Sequence, residues 1–404
     1  MKGVEYLRKK LKLYEPRVNL KYKYYDQKDN VWERSFTIPD KMKWAYEAVS
    51  GWNTKAVDSL ADRLTIRSLE NDIFGISEIY NMNNPDILFN SAIKGALISS
   101  CDFIYIADDV NEDLPRLRVV DGANATGVMD LTTNLLKEGY AVLSRDENDE
   151  PELEAHFEPY RTTYYENREV SRIFEHNVPY PLLVPVVYKS DARRPFGRSR
   201  ITRSTMYLQR FMKRTLVRMD VNSEFYSFPQ KYVTGLDQDA EGFDKWQATV
   251  SSMLAFTVDE NGQNQVKPGQ FQTASNQPLI EQLRVAASLF AGETGLTVDD
   301  LGFVSDNPSS AEAIKASHNT LSVMTDKAQE YFNTALINVG YLACCLRDDQ
   351  EYKRNEFYNV KTIWEPAFKL DISSLAGLGD AIGKINQVIP GYFTEEKIDR
   401  LIGL

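Results

Sequence analysis

The chain is poor in cysteine and histidine. Its 404 residues include three histidines, which are scattered, and three cysteines, namely Cys101, Cys344 and Cys345. Three thiols cannot form a complete set of disulfides, so we expect reduced cysteines and synthesis in a cytoplasm. Scattered histidines do not indicate a zinc site or a histidine-based catalytic centre.

Long hydrophobic runs are absent as well. The longest apolar stretches, such as residues 182–188, are far shorter than the ~20 residues that span a bilayer. The first ten residues are rich in charge and contain no apolar segment typical of a secretory signal. We therefore expect neither export nor a membrane partner.

An excess of positive charge is also missing. The chain has 47 Lys and Arg residues against 58 Asp and Glu residues, a net charge of −11. This balance argues against a protein that coats nucleic acid over its whole surface. With 43% apolar and 26% charged residues the composition is that of a folded protein, and the length allows two to four domains or one extended body.

The sequence contains none of the common catalytic motifs. The phosphate-binding loop, the G-x-S-x-G nucleophile motif, the H-E-x-x-H zinc motif and C-x-x-C are all missing. We therefore expect no enzyme, no catalytic or metal-binding residues and no cofactor. A nucleic-acid enzyme remains an alternative, and its two metal ions would need clustered carboxylates such as Asp299, Asp300 and Asp306.

The hydrophobic periodicity predicts an α+β protein without an alternating parallel sheet. Residues 1–30 indicate a short helix followed by irregular chain, and further helices are predicted at 39–64, 84–98, 125–137, 200–228, 240–253, 277–290 and 309–346. Predicted strands lie near 67 and at 103–106, 117–120, 140–143, 162–165, 170–174, 184–188, 231–234, 255–258 and 361–370. Two short helices are expected between the last strand and residue 404.

One segment has a net charge opposite in sign to that of the whole chain. Residues 189–218 contain ten basic residues and one acid. At ~100° per residue, one stripe of the predicted helix contains Arg200, Arg203, Arg210, Arg214 and Arg218. Apolar residues cluster on the opposite side, namely Ile201, Leu208, Met212, Leu216 and Met219. The stripe is either a solvated face that balances acids elsewhere in the fold, or a contact surface for nucleic acid or a neighbouring subunit.

Three segments resemble the portal proteins of tailed bacteriophages, also called head-to-tail connectors. The first is PFGRSRIT at 195–202 with its arginine-rich helix, ending in EFYSFPQ at 224–230. The second is QPLIEQLR at 277–284, which leads to GETGLTVDDLG at 292–302. The third is NPSSAEAI at 307–314. The order of these segments is that of the family, and the resemblance covers about residues 40–380.

The resemblance implies a portal-type fold that assembles as a ring. It divides the chain into a wing at 1–190, a stem helix at 191–228, a small α/β clip at 229–275, a second stem helix at 276–300, a tunnel loop at 301–310, the long wing helix and strand at 311–372, and a short helical crown at 373–404. The tunnel loop would include Gly302, Phe303, Val304, Ser305, Asp306 and Asn307. The clip residues that dock terminase or an adaptor would be Asp237, Asp239, Glu241, Asp244 and Lys245.

The implied function is that of the channel at one capsid vertex, through which double-stranded DNA is packaged and ejected. The implied partners are further copies of the chain, typically twelve, sequence-independent duplex DNA, the terminase large subunit, a head–tail adaptor, and the major capsid and scaffolding proteins. The implied location is the virion, after assembly in the host cytoplasm. The alternatives are a packaging-associated nucleic-acid enzyme and a non-ring adaptor that binds an acidic protein through the arginine stripe.

Overall fold

The computed structural model describes residues 2–29, 46–108, 113–227, 229, 231–236, 253–257, 267–272, 274–303, 318–368, 372–394 and 398. Within these ranges the α-helices are α1 Val4–Tyr25, α2 Trp52–Ala61, α3 Ile76–Met82, α4 Pro85–Ser99, α5 Arg203–Ser227, α6 Gln277–Thr294, α7 Asn319–Arg347 and α8 Ile372–Val388. The strands are β1 Ile66–Glu70, β2 Cys101–Ala107, β3 Arg116–Val120, β4 Ala125–Met129, β5 Leu136–Arg145, β6 Pro151–Glu158, β7 Arg161–Glu166, β8 Glu169–Glu175, β9 Leu183–Val187, β10 Lys231–Leu236, β11 Met253–Thr257, β12 Lys267–Gln270 and β13 Lys361–Trp364.

The described strands form four sheets, and nearly all neighbours are antiparallel. The largest sheet is a meander with the order β4-β5-β6-β7-β8, and the others have the orders β3-β2-β9, β1-β13 and β11-β10-β12. Only β10 and β11 pair in parallel. The α+β class is therefore confirmed. No helix in the described ranges has both the length and the apolarity required to span a bilayer.

The meander corrects one prediction. Residues 125–137 form β4, a turn and the start of β5 instead of a helix. Asp130 fixes the turn, because its carboxylate accepts hydrogen bonds from the Thr132 N–H and the Thr133 hydroxyl. Gly127 lies opposite Gly139 in the pairing, and a Cβ at Gly127 would lie 2.7 Å from a carbonyl oxygen of the neighbouring strand. Long-range strand pairing thus overrides the local helical pattern.

The helix α1 is longer than the short helix predicted, and it covers one face of the meander. Leu7 and Leu11 pack against Tyr140 and Val142, whose side chains share a face of β5. The Glu138 carboxylate accepts hydrogen bonds from two backbone N–H groups just before the helix, each at 2.7 Å. A carboxylate at this end of a helix also interacts favourably with the helix dipole.

The main core lies between α4, α7 and the inner face of the sheets. Pro85 begins α4, where a missing N–H costs no helical hydrogen bond, as the Asn-Pro-Asp signal predicts. The second half of α7 is buried almost continuously through Cys344 and Cys345, whose thiols are reduced.

The remaining differences concern element limits. The helix expected at 39–64 is observed as α2, residues 46–51 have no regular structure, and residues 30–45 lie outside the described ranges. The strands β6 and β12 were not predicted, and β13 is shorter than expected. The helix expected at 240–253 lies outside the described residues except for Met253, which begins β11. Of the two short helices predicted before residue 404, the first is observed as the 17-residue α8, and the second falls mostly outside the described residues.

Candidate functional site

The helices α5 and α6 form an antiparallel pair. Arg200, just before α5, donates a hydrogen bond of 2.6 Å from Nη2 to the carbonyl of Thr294 at the end of α6. At the opposite end the Asn222 amide donates to the side-chain oxygen of Asn276, at 2.6 Å. The sheet of β10, β11 and β12 is the described part of the chain between these two helices. The pair therefore joins the main body at one end and the small sheet at the other.

The start of α5 is defined by two threonines. The Thr205 N–H donates to the Thr202 hydroxyl oxygen at 3.2 Å, and the Thr202 N–H donates to the Thr205 hydroxyl oxygen at 3.0 Å. This reciprocal pair satisfies backbone donors that a helix start leaves free. It places the helix start after Arg200, and the sequence signal for it is the Thr-x-x-Thr spacing.

One face of α5 exposes four arginines that we name the arginine row, namely Arg203, Arg210, Arg214 and Arg218. The first and last are exposed and the middle two are half-buried. The row extends over ~22 Å at 1.5 Å per residue. None of the four forms an ion pair with a residue in the described ranges, although the Arg210 guanidinium lies 6.0 Å from the centre of the Tyr24 ring. Within the described part of the chain, their positive charge therefore has no acidic counterpart.

The prediction that Arg200 belongs to this row is wrong. Arg200 lies outside α5 and is 5% exposed. Its Nε donates to the carbonyl of Ala56 in α2, and its backbone N–H donates to the carbonyl of Leu97 in α4. Burial lowers the pKa of this guanidinium. The prediction included Arg200 because it applied helical spacing to residues that precede the observed start of the helix at Arg203.

Away from the arginine row, α5 carries a cluster of buried polar side chains that the sequence analysis did not predict. Lys213 is 1% exposed, and its ammonium donates to Asp29 Oδ1 at 2.6 Å and to the Asp29 carbonyl at 2.9 Å. Gln209 donates to the same carboxylate oxygen at 3.0 Å and accepts from the Asn53 amide at 2.7 Å. These contacts fix α5 against the ends of α1 and α2.

The predicted apolar side of α5 is confirmed in part. Ile201, Leu208 and Met212 are buried, whereas Leu216 and Met219 are half-buried. The helix therefore packs tightly near its start and more loosely toward the small sheet.

The exposed face of α6 differs in chemistry from the arginine row. Val285 and Leu289 are large apolar side chains that remain exposed, one turn apart. Glu281 and Glu293 are exposed on the same helix, with Arg284 as its only exposed basic residue. The two-helix unit thus presents cations on α5 and apolar and acidic groups on α6.

The predicted tunnel loop is described only at its start. Gly302 has φ of 91°, a conformation that favours glycine, and the Phe303 N–H donates to the Val298 carbonyl at 3.3 Å. Phe303 packs against the main core. Val304, Ser305, Asp306 and Asn307 lie outside the described residues, as do the predicted docking residues of the clip, namely Asp237, Asp239, Glu241, Asp244 and Lys245.

One of the acids near this loop, Asp300, has a structural role. The Asp300 carboxylate accepts from the N–H and the hydroxyl of Thr297, at 2.9 and 2.8 Å, and these hydrogen bonds lower its pKa against the opposing effect of burial. Among the described residues no group of three or more His, Cys, Asp or Glu side chains could hold a metal ion. Asp306, a third acid of the nuclease alternative, lies outside that part of the chain.

Comparison with known proteins gives consistent results. The chain is 25% identical over 334 residues to the portal protein of Mycobacterium phage L5, covering 77% of this chain and 68% of the relative. It is 25% identical over 188 residues to the portal protein of Mycobacterium phage D29, covering 45% of this chain and 38% of that relative.

Among solved structures, a chain from the neck of an empty gene transfer agent particle, computed with C6 symmetry, is 13% identical with a TM-score of 0.49 and covers 88% of this chain and 90% of that one. The neck of the native particle, computed with C12 symmetry, gives 13% identity, a TM-score of 0.48 and coverages of 87% and 89%. The family described as "Phage portal protein, SPP1 Gp6-like" matches residues 5–387. Since this match spans nearly the whole chain, the chain belongs to the phage portal protein family.

Proposed function

We propose that copies of this chain close into a ring that forms the DNA channel at one vertex of a phage capsid. In this assignment α5 and α6 are the stem, the sheet of β10, β11 and β12 belongs to the clip, and residues 301–310 form the tunnel loop. Residues 1–190 and 311–372 are the wing, and residues 373–404 are a short crown. Duplex DNA passes through the channel, and the clip docks terminase and later a head–tail adaptor.

The arginine row is the observation that carries the proposal. Four guanidinium groups on one helix face have no acidic partner in the described part of the chain. Arginine forms strong paired contacts with carboxylates and phosphates, so the row is suited to a polyanion or to an acidic neighbour. The exposed face of α6 offers Glu293 beside Val285 and Leu289. Glu281 on the same face pairs with Arg284 of its own helix at 3.8 Å.

We favour contact between α5 of one subunit and α6 of the next. Each phosphate that a protein neutralises strengthens its binding to DNA at low salt. A ring of stems that exposed every arginine to the channel would therefore hold DNA firmly, whereas a conduit must let DNA slide. A row that faces the neighbouring stem leaves the acidic remainder of the chain to line the channel.

Direct observation of the purified chain tests the ring. We expect native mass spectrometry to give one large cyclic oligomer and negative-stain electron microscopy to show particles with a central hole. The oligomer should persist in moderate salt, because apolar side chains contribute to the contact. A monomer over the whole concentration range in both measurements would contradict the proposal.

A further inference from the structure

The outer face of α1 presents a row of large apolar side chains at seven-residue intervals. Tyr6, Leu13 and Leu20 are 41%, 72% and 46% exposed. At ~100° per residue these three lie within an arc of about 40°, and the row is ~21 Å long. Single exposed apolar residues are common on protein surfaces, but a helical row of three is typical of a helix-docking seam.

Positive charge surrounds this row. The helix contains seven basic and two acidic residues. Both acids are already engaged, Glu5 with Arg8 at 2.5 Å and Glu15 with Arg145 at 3.4 Å. Exposed Lys9, Lys12 and Lys23 have no acidic partner in the described ranges. Any partner of this face must therefore supply negative charge.

The inner face holds α1 in place without the outer row. Besides the backbone contacts to Glu138, Arg8 forms an ion pair of 2.5 Å with Glu154, which is buried under the helix. The Lys21 ammonium donates to the carbonyl of Ser99 at 2.7 Å. The outer row thus makes no evident contribution to the fold, and the helix presents it in a fixed orientation.

We propose that the outer face of α1 binds an acidic amphipathic helix of another protein. A helix with apolar residues at heptad spacing would cover Tyr6, Leu13 and Leu20, and acidic residues flanking its seam would pair with Lys9, Lys12 and Lys23. Nucleic acid fits less well, because phosphates offer nothing that buries Leu13 and Leu20. A second α1 fits less well too, since two basic faces repel each other.

This surface is the outer face of α1, whereas α5 and its arginine row contact α1 at the buried Tyr24 near its end. Helix binding at α1 does not require ring closure, so the two proposals have different readouts. If the wild-type chain forms rings but binds no acidic helix, the α1 surface alone is contradicted. If it stays monomeric but binds the helix, the ring alone is contradicted.

A designed peptide tests the surface with the full chain. The probe is a labelled synthetic helix of three heptads with Leu at positions a and d and Glu at e and g, and its matched control has Lys at e and g. By fluorescence anisotropy at low salt we expect the Glu peptide to bind at least about tenfold more tightly than the Lys peptide, the factor that ~1.4 kcal/mol produces.

Two double variants locate the binding. Leu13→Ser with Leu20→Ser, and Lys9→Glu with Lys12→Glu, should each weaken binding of the Glu peptide about tenfold or more. The control is Ile73→Ser with Leu131→Ser, which changes two exposed apolar residues elsewhere and should leave binding unchanged. Thermal unfolding confirms that the variants are folded, as expected for exposed positions.

Several outcomes would overturn the assignment. The first is equal binding of the two peptides, or no binding of either. Another is binding of duplex DNA or of phosphatidylserine vesicles that the Leu13 and Leu20 variants abolish while peptide binding stays unchanged. A loss of oligomer in those variants by native mass spectrometry would identify the row as a contact between copies of this chain.

Discussion

At the scale of single residues, the least ordinary group is the carboxyl of Asp102 in β2. It is buried, and it is hydrogen-bonded to the Ser99 hydroxyl at 2.8 Å and to the Gly122 N–H at 3.0 Å. A Cβ at Gly95 in α4 would lie 1.7 Å from Asp102 Oδ2, so only glycine lets the helix approach this carboxyl. Desolvation raises the pKa of Asp102 to about 8.

The raised pKa of Asp102 predicts a pH-dependent stability. The folded chain holds this proton at pH values where the unfolded chain, with an aspartate pKa of about 3.9, has released it. The contribution of Asp102 is therefore fully present below about pH 4 and is lost as pH rises through about 8. The variant Asp102→Asn cannot titrate at this position. As pH rises through this window, the free energy of unfolding of the wild type should therefore fall relative to that of the variant, by at most about 1.4 kcal/mol per pH unit.

Denaturant unfolding between pH 5 and 9 measures the difference. The control is Val323→Ala, a change at an exposed position of α7 that alters no titratable group, so that its difference from the wild type should not depend on pH. Parallel stability curves for the wild type and Asp102→Asn would show that Asp102 does not carry a raised pKa.

At the scale of elements, the position of α5 depends on the buried pair of Lys213 and Asp29. Their side chains are 1% and 4% exposed, and the Asp29 Oδ2 atom has no hydrogen-bond partner among the residues that the structure describes. The pair joins α5 to the chain just after α1. Because a buried charge left alone is costly, the two residues should act as a unit.

A double-mutant cycle tests this coupling. Lys213→Met and Asp29→Asn should each lower the free energy of unfolding by about 3 to 5 kcal/mol, since each leaves one buried charge without its partner. The double variant should lose clearly less than the sum of the two. The control is Arg218→Met on the exposed side of α5, which should change stability by no more than about 0.5 kcal/mol. Additive losses in denaturant unfolding would mean that the pair does not fix the helix.

At the scale of the whole molecule, charge is segregated. The chain carries a net charge of −11, yet one face of α5 is cationic and α1 has five more basic than acidic residues. Segregated surfaces of opposite sign favour association between copies in one orientation and disfavour others.

Charge reversal at the two ends of the arginine row tests this view of assembly. Arg203→Glu with Arg218→Glu should leave the subunit folded, because both side chains are exposed, and should prevent closed rings in negative-stain micrographs. Arg168→Glu with Lys353→Glu makes the same change of charge at exposed positions elsewhere and should leave rings intact. Normal rings in the first variant, together with a weaker salt dependence of DNA binding, would place the row in the channel instead.

Local patterns explain which parts of the fold could be predicted. The helices α4, α6 and α7 and most strands of the meander follow from apolar periodicity and from signals such as Asn84-Pro85. The strands at 125–137 were not predicted, because their pairing depends on a turn and on the residues of the partner strand. Neither can be detected from helical periodicity within one segment. The two-sided character of α5 was predictable. Its start was not, because the predicted helix begins at Arg200 and the observed one begins at Arg203.

The sequence by itself determined the α+β class, the family and the existence of a cationic helix, because each depends on residue order and on a periodicity that neighbours in the chain establish. Only the tertiary structure decided which of the basic residues are buried with partners inside the fold and which remain exposed for contact with another molecule. Arg200 finds its acceptor 144 positions away, and Lys213 finds its carboxylate 184 positions away. Burial of a charge is stable only where distant groups satisfy it, and no local pattern specifies those groups.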